Sequence, residues 1–87
     1  YSPLPRVKNQ VDIRALSREE AREELERYFD QVILAGFQTV HIIHGKGEGV
    51  LREVTHQFLR DHPYVESFRL GYPEEGGIGV TVVTFKS

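Results

Sequence analysis

Eighty-seven residues suffice for one domain with one modest core and leave no room for a second. A formal net charge of −2, with 11 Lys and Arg against 13 Asp and Glu, excludes a uniformly basic nucleic-acid module, and the absence of cysteine excludes disulfide staples and thiolate metal sites, which fits a cytoplasmic setting. No run has the length and apolarity of a membrane span or a signal peptide, so no membrane partner is expected, and the absence of methionine suggests a fragment of a longer polypeptide.

Residues 1–10, with Pro3, Pro5, Arg6, Lys8, Asn9 and Gln10, read as a linker or N-terminal arm, and residues 11–87 as the folded domain. Val11-Asp12-Ile13-Arg14 alternates as a half-buried strand does, sending Val11 and Ile13 to the core and Asp12 and Arg14 to the other face. Ser17-Arg18-Glu19-Glu20 has the spacing of a capping box, and a helix follows with Ala21, Leu25, Tyr28, Phe29, Val32 and Ile33 as its apolar stripe, ended by Gly36. Its charged face is expected to be solvated, with pairs such as Glu23 and Arg27 one turn apart.

Val40, Ile42 and Ile43 predict a second strand, after which Gly45, Gly47 and Gly49 free the backbone and Val50, Leu51, Val54 and Phe58 recur at helical spacing as far as Asp61-His62-Pro63. Tyr64 to Leu70 alternates imperfectly as a third strand. Gly71 to Gly77 is dense in turn residues, and Val80 to Phe85 is a β-branched last strand expected to form a hairpin with the third. The order β-α-β-α-β-β predicts an α/β two-layer sandwich, with a four-stranded mixed sheet, right-handed early crossovers and both helices on one face. With Val40, Ile42 and Ile43 apolar on both sides, part of the open face needs cover, expected from the N-terminal arm or a partner.

A glycine turn that opens a helix presents unpartnered amide N–H groups and the positive end of the helix dipole, a place for a phosphate; the same glycines also suit a turn needed only for its geometry. Gly45-Lys46-Gly47-Glu48-Gly49 has neither the GxxxxGK[ST] order of a P-loop nor the GxGxxG spacing of a dinucleotide fold. His41 and His44, three apart on a strand, point to opposite faces and cannot chelate one ion together, and His56 and His62 have no zinc spacing. His41 and His56 therefore read as packed or surface histidines, whereas His44 ends its strand beside the glycine turn, where a titrating imidazole can meet a substrate. Asp12 and Arg14 taken alone suit a surface ion pair. Ligands of open α/β sheets gather beyond the carboxyl ends of parallel strands, and that topology would bring Arg14, His44 and Lys46 onto one phosphate with Asp12 just behind.

Val11-Asp12-Ile13-Arg14, then His44-Gly45-Lys46-Gly47-Glu48-Gly49-Val50-Leu51-Arg52, then Gly76-Gly77-Ile78-Gly79-Val80-Thr81-Val82-Val83 resemble, in order and spacing, the three motifs of the Smr (small MutS-related) domain, over about residues 11 to 85. Arginine after Asp-Ile and the His-Gly-Lys-Gly form resemble the version at the C-terminus of the bacterial second MutS paralogue; Ala15 stands where the first motif usually closes with glycine. The resemblance implies a fold like the C-terminal domain of translation initiation factor three and a cytoplasmic bacterial endonuclease that nicks DNA, branched forms included, with some relatives cutting RNA. It implies a MutS-like ATPase region upstream in the same chain and a role in recombination or repair. The implied site has Asp12, Arg14 and His44 as catalytic residues and Gly45, Lys46, Gly47, Gly49 and Arg52 holding phosphate. Arg14, Lys46 and the Gly47 and Gly49 amides would meet charge and His44 would transfer a proton. Asp12 would either bind a divalent metal ion, Mg2+ or Mn2+, or orient Arg14. The alternative is a non-catalytic module that uses the same groups to bind a DNA junction or ribosomal RNA for the ATPase.

Overall fold

The computed structural model describes residues 7–86. In chain order it consists of β1 (Gln10–Asp12), α1 (Arg18–Ala35), β2 (Thr39–Ile43), α2 (Val50–Asp61), β3 (Val65–Leu70), two short 3-10 turns (Pro73–Glu75 and Gly77–Gly79) and β4 (Val80–Phe85). The predicted α/β architecture is the observed one. The sheet order is β1-β2-β4-β3, with β1 and β2 parallel and the remaining pairs antiparallel.

Local chemistry sets the ends of α1. The Ser17 hydroxyl accepts from the Glu20 N–H at 3.2 Å and the Glu20 carboxylate accepts from the Ser17 N–H at 3.0 Å, the reciprocal capping box that the spacing predicts. Gly36 closes the helix in the left-handed region at φ 82°. Among the charged residues, Arg27 pairs with Glu24 at 2.9 Å rather than with Glu23, and Arg22 with Glu26 at 3.7 Å. These pairs are exposed and contribute little to stability.

One core lies between the helices and one face of the sheet. Leu25, Phe29 and Val32 of α1, Phe58 and Leu59 of α2, and Val40, Ile42, Val83 and Phe85 of the central strands are buried together. Burying each such side chain stabilises the fold by roughly 1.5–3 kcal/mol. On α2 the buried face is Thr55, Phe58 and Leu59, with Leu51 packed against it, whereas Val50 is 37% exposed, so the predicted stripe is rotated slightly. Val50 and Val54 instead line a groove toward Arg18 and Arg22 of α1. The imperfect alternation of the third strand has a cause in a bulge between Val65 and Ser67.

Two boundaries differ from the sequence reading. β1 ends at Asp12, so Arg14 sits in the turn beyond it, while Ile13 remains fully buried and donates its N–H to the Ile43 carbonyl at 2.9 Å. Asn9, read as linker, already accepts from the His41 N–H at 2.9 Å, and the Lys8 carbonyl accepts from the Tyr28 hydroxyl. The rest of the expected arm, residues 1–6, lies outside the described residues. Cover for the sheet's open face comes partly from the turns before β4: a Cβ at Gly76, φ 112°, would stand 2.6 Å from Val80 Cγ2, which shows how closely this segment lies on a valine that is buried outside the main core cluster. Arg69 fastens the segment through Glu75 at 2.8 Å and stacks its guanidinium 4.1 Å above the Tyr72 ring.

Candidate functional site

The parallel pairing of β1 and β2 places Asp12 opposite Ile43, so the chain leaving each strand emerges at the same edge of the sheet. Arg14 follows β1 and the glycine turn follows β2, and they touch: a Cβ at Gly45 would lie 3.4 Å from Arg14 Cγ. Beside this contact a cleft of about 420 Å3 is lined by Arg14, His44, Gly45, Gly47, Gly49 and Arg52, among others. Its floor is the N-terminus of α2. Gly49 is the N-cap there at φ 84° and no side chain caps the helix, so the first amides face an opening flanked by two guanidinium groups.

The glycines are not equivalent. Gly45 and Gly49 have φ of 87° and 84°, a conformation that a side chain would strain, so the turn's geometry alone accounts for them. Gly47 is different, because its φ is not positive and a Cβ there would meet nothing within 4 Å. Neither backbone nor packing requires glycine at Gly47, which leaves the turn open on that side.

Asp12 holds Arg14 in place. Oδ1 accepts from the Arg14 backbone N–H at 3.0 Å and from Nε at 2.9 Å, while Oδ2 accepts from Nη2 at 2.6 Å. This bonding keeps the Asp12 carboxyl below its ordinary value and raises the arginine's. The pair is exposed, so it contributes little to stability; its geometry is that of a forked cation presented in one orientation. Both Asp12 oxygens face Arg14, and among the described residues no three His, Asp or Glu side chains converge as metal ligands. The engagement of both oxygens by Arg14 is the arrangement of an orienting carboxylate.

His44 lies in the cleft wall but is only 5% exposed, and both ring nitrogens are engaged, Nδ1 with the Gly45 carbonyl at 3.1 Å and Nε2 with the Thr81 hydroxyl at 2.7 Å. Burial pushes its pKa below 6.5. Lys46, expected to converge with Arg14, instead lays its stem over the second 3-10 turn, where a Cβ at Gly79 would stand 3.1 Å from Lys46 Cγ, and it does not line the cleft. Arg52, one turn into α2, takes that place. The sequence reading also missed the two residues behind His44. Thr81 is fully buried and its hydroxyl lies 2.9 Å from His56 Nε2. A threonine inside so apolar a strand was the available signal, because a buried hydroxyl needs a partner.

Burial lowers the pKa of His44, His56 and His62 alike, so all three favour the neutral form in the fold. Below pH 6.5 the unfolded chain then binds more protons than the folded one, and stability falls as pH drops through the lowered values. Glu75, held down to about 2 mainly by Arg69, adds a second loss below 4.5. Urea midpoints measured between pH 7.5 and pH 3 are expected to decline in two steps, the first above the carboxylate range; a flat midpoint down to pH 5 would contradict the buried histidines.

Comparison with known proteins agrees with this architecture. The family model described as Smr domain matches residues 11–86. The endonuclease MutS2 of Thermomicrobium roseum is 51% identical over 80 residues, which are 92% of this chain and 10% of that protein. The chain spans about a tenth of the length of the curated relatives it matches. The crystal structure of the Smr domain of Thermus thermophilus MutS2 superposes with a TM-score of 0.88 at 39% identity, covering 92% of this chain and all (100%) of that one. YdaL, a stand-alone small MutS-related protein from Escherichia coli, shares the fold at a TM-score of 0.87 and 24% identity, over 91% of this chain and 65% of that chain. No helix among the described residues is long and apolar enough to cross a membrane.

Proposed function

The chain belongs to the Smr domain family, and from that membership we propose that it is an endonuclease domain that nicks DNA by hydrolysing a phosphodiester bond, acting as one part of a longer MutS-like ATPase chain in recombination or repair. The observation that carries the proposal is the Arg14 guanidinium, forked onto Asp12 and lining the same cleft as an uncapped helix N-terminus. Cleavage places growing negative charge on the phosphoryl oxygens, and preorganised donors aimed at that charge usually lower the barrier more than any other device an enzyme has. Arg14, Arg52 and the first amides of α2 are those donors, Gly47 gives the phosphate its close approach, and Asp12 fixes the fork. His44 supplies a proton-bearing nitrogen once a substrate oxygen takes the place of the Gly45 carbonyl. Lys46 adds to binding from outside the cleft, on the side of the second 3-10 turn.

A second reading is favoured by one specific observation. His44 is buried with both nitrogens occupied, as suits a module that binds a DNA junction or ribosomal RNA without cutting it. Incubating the purified domain with supercoiled plasmid separates the two. The endonuclease reading predicts conversion to open circles at a rate proportional to enzyme concentration, whereas retardation of the plasmid without nicking would assign the cleft to binding alone.

A further inference from the structure

Behind the cleft wall, three side chains from three elements form a continuous chain of hydrogen bonds. His44 Nε2 lies 2.7 Å from Thr81 Oγ1, and Thr81 Oγ1 lies 2.9 Å from His56 Nε2. At the other end His44 Nδ1 lies 3.1 Å from the Gly45 carbonyl oxygen. His44 directly follows β2, Thr81 is the second residue of β4 and His56 lies in the middle of α2, so the contact requires all three elements to be in place.

Counting protons assigns every position. A carbonyl only accepts, so His44 Nδ1 carries a hydrogen. A neutral imidazole has one ring hydrogen, so His44 Nε2 is bare and accepts from the Thr81 hydroxyl. The hydroxyl has then given away its single hydrogen, and the contact with His56 is satisfied when His56 Nε2–H donates to it. A second proton on His44 would make Nε2 a donor to the hydroxyl, and the Thr81 hydrogen could then stay in the chain only if His56 moved its own hydrogen to Nδ1 and accepted at Nε2.

The surroundings point the same way. Both rings are pushed toward the neutral form first by burial, and Arg52 of α2 acts against charge on each of them, while the Gly45 carbonyl at His44 Nδ1 works the other way and is outweighed. Around His56, Arg60 of α2 and His44 of β2 also oppose a charge, Glu53 of α2 favours one, and β3 presents the uncharged ring of Phe68 at 5.0 Å.

We propose that Thr81 and His56 are positioning residues that hold His44 neutral with its hydrogen on Nδ1, facing the glycine turn, so that His44 serves the cleft as a fixed hydrogen-bond donor to a phosphoryl oxygen and not as a titrating acid. This rests on the endonuclease reading for its catalytic half only. The donor acts without changing its protonation state: the substrate oxygen replaces the Gly45 carbonyl as acceptor, and no proton leaves the ring. A neutral imidazole held in one tautomer by its second nitrogen suits that task, since it adds polarisation without depending on pH near neutrality.

The test combines a spectroscopic and a kinetic readout on the same protein. Ring 1H–15N correlations of the labelled domain at pH 7.5 should show His44 protonated on Nδ1 and His56 on Nε2. In Thr81→Val the hydroxyl is gone at nearly constant shape, and the Nε2-protonated form of His44 should appear; Thr81→Ser should restore the parental pattern. The nicking rate of Thr81→Val should fall roughly tenfold or more, as expected for loss of one aligned donor, with Thr81→Ser close to the parent and no histidine limb in the parental profile between pH 7 and 9. A parental His44 protonated on Nε2 overturns the proposal, as does a Thr81→Val spectrum identical to the parent's or a Thr81→Val rate equal to it. Should Thr81→Val not fold, the parental spectrum and its Thr81→Ser counterpart decide. A parent that shows the predicted tautomers and cuts no plasmid retains the hydrogen-bond chain and refutes the endonuclease reading instead.

Discussion

Phe29→Ala is expected to remove a large part of the domain's stability, about 3–5 kcal/mol. Phe29 is fully buried, and its ring meets Phe58 of α2 at 5.1 Å, Phe85 of β4 at 5.2 Å and His62 at 5.2 Å, all edge-on. It is thus a side chain through which α1 touches both the second helix and the sheet. Removing a buried phenylalanine costs about 3–5 kcal/mol, and a domain of 87 residues has a total stability of about 4–13 kcal/mol at typical values per residue. Leu34→Ala, on the same helix but 89% exposed, should change stability by less than about 0.5 kcal/mol. Urea unfolding followed by circular dichroism compares the two, and equal midpoints would mean that the core is not organised around Phe29.

Arg14→Ala is expected to lower the nicking rate by about a hundredfold to a thousandfold, the typical cost of deleting one preorganised donor from a site where charge develops. Stability should hardly change, since the Asp12–Arg14 pair is exposed. Arg14→Lys separates charge from shape: lysine keeps the cation but loses the fork that spans both Asp12 oxygens, so its rate should lie well below the parent's. Rates for the three proteins on supercoiled plasmid, each confirmed folded, provide the comparison. If both variants match the parent, Arg14 has no part in the chemistry.

What could be read from the sequence was whatever depends on neighbours along the chain. The Ser17–Glu20 box, the Gly36 cap, the glycine turn and the Asp12–Arg14 pair all join residues within four positions, where spacing alone determines who meets whom. The Asp12–Arg14 pair was legible even though Arg14 lies past the end of its strand, because the carboxylate also accepts the Arg14 backbone N–H. Lys46 and Arg52 show the limit. Both are cations of one motif, but which lines the cleft depends on where the second 3-10 turn packs, and no local rule places Gly79 against Lys46. His56 was read as a packed or surface residue for the same reason. Its partner, Thr81, is 25 positions away, on a strand whose place between β2 and β3 became known only from the sheet order.

The most direct measurement of the central idea, that Asp12 organises Arg14 for phosphodiester cleavage, is the nicking rate and DNA affinity of Asp12→Asn determined side by side. Asparagine keeps the shape but loses the charge and one of the two acceptor oxygens that hold the guanidinium. A misaimed catalytic group costs on the order of a hundredfold, while removing a negative charge beside a phosphate leaves binding equal or tighter. The predicted result is therefore cleavage reduced about a hundredfold with undiminished affinity; cleavage at the parental rate by a protein that binds as well as the parent would contradict it.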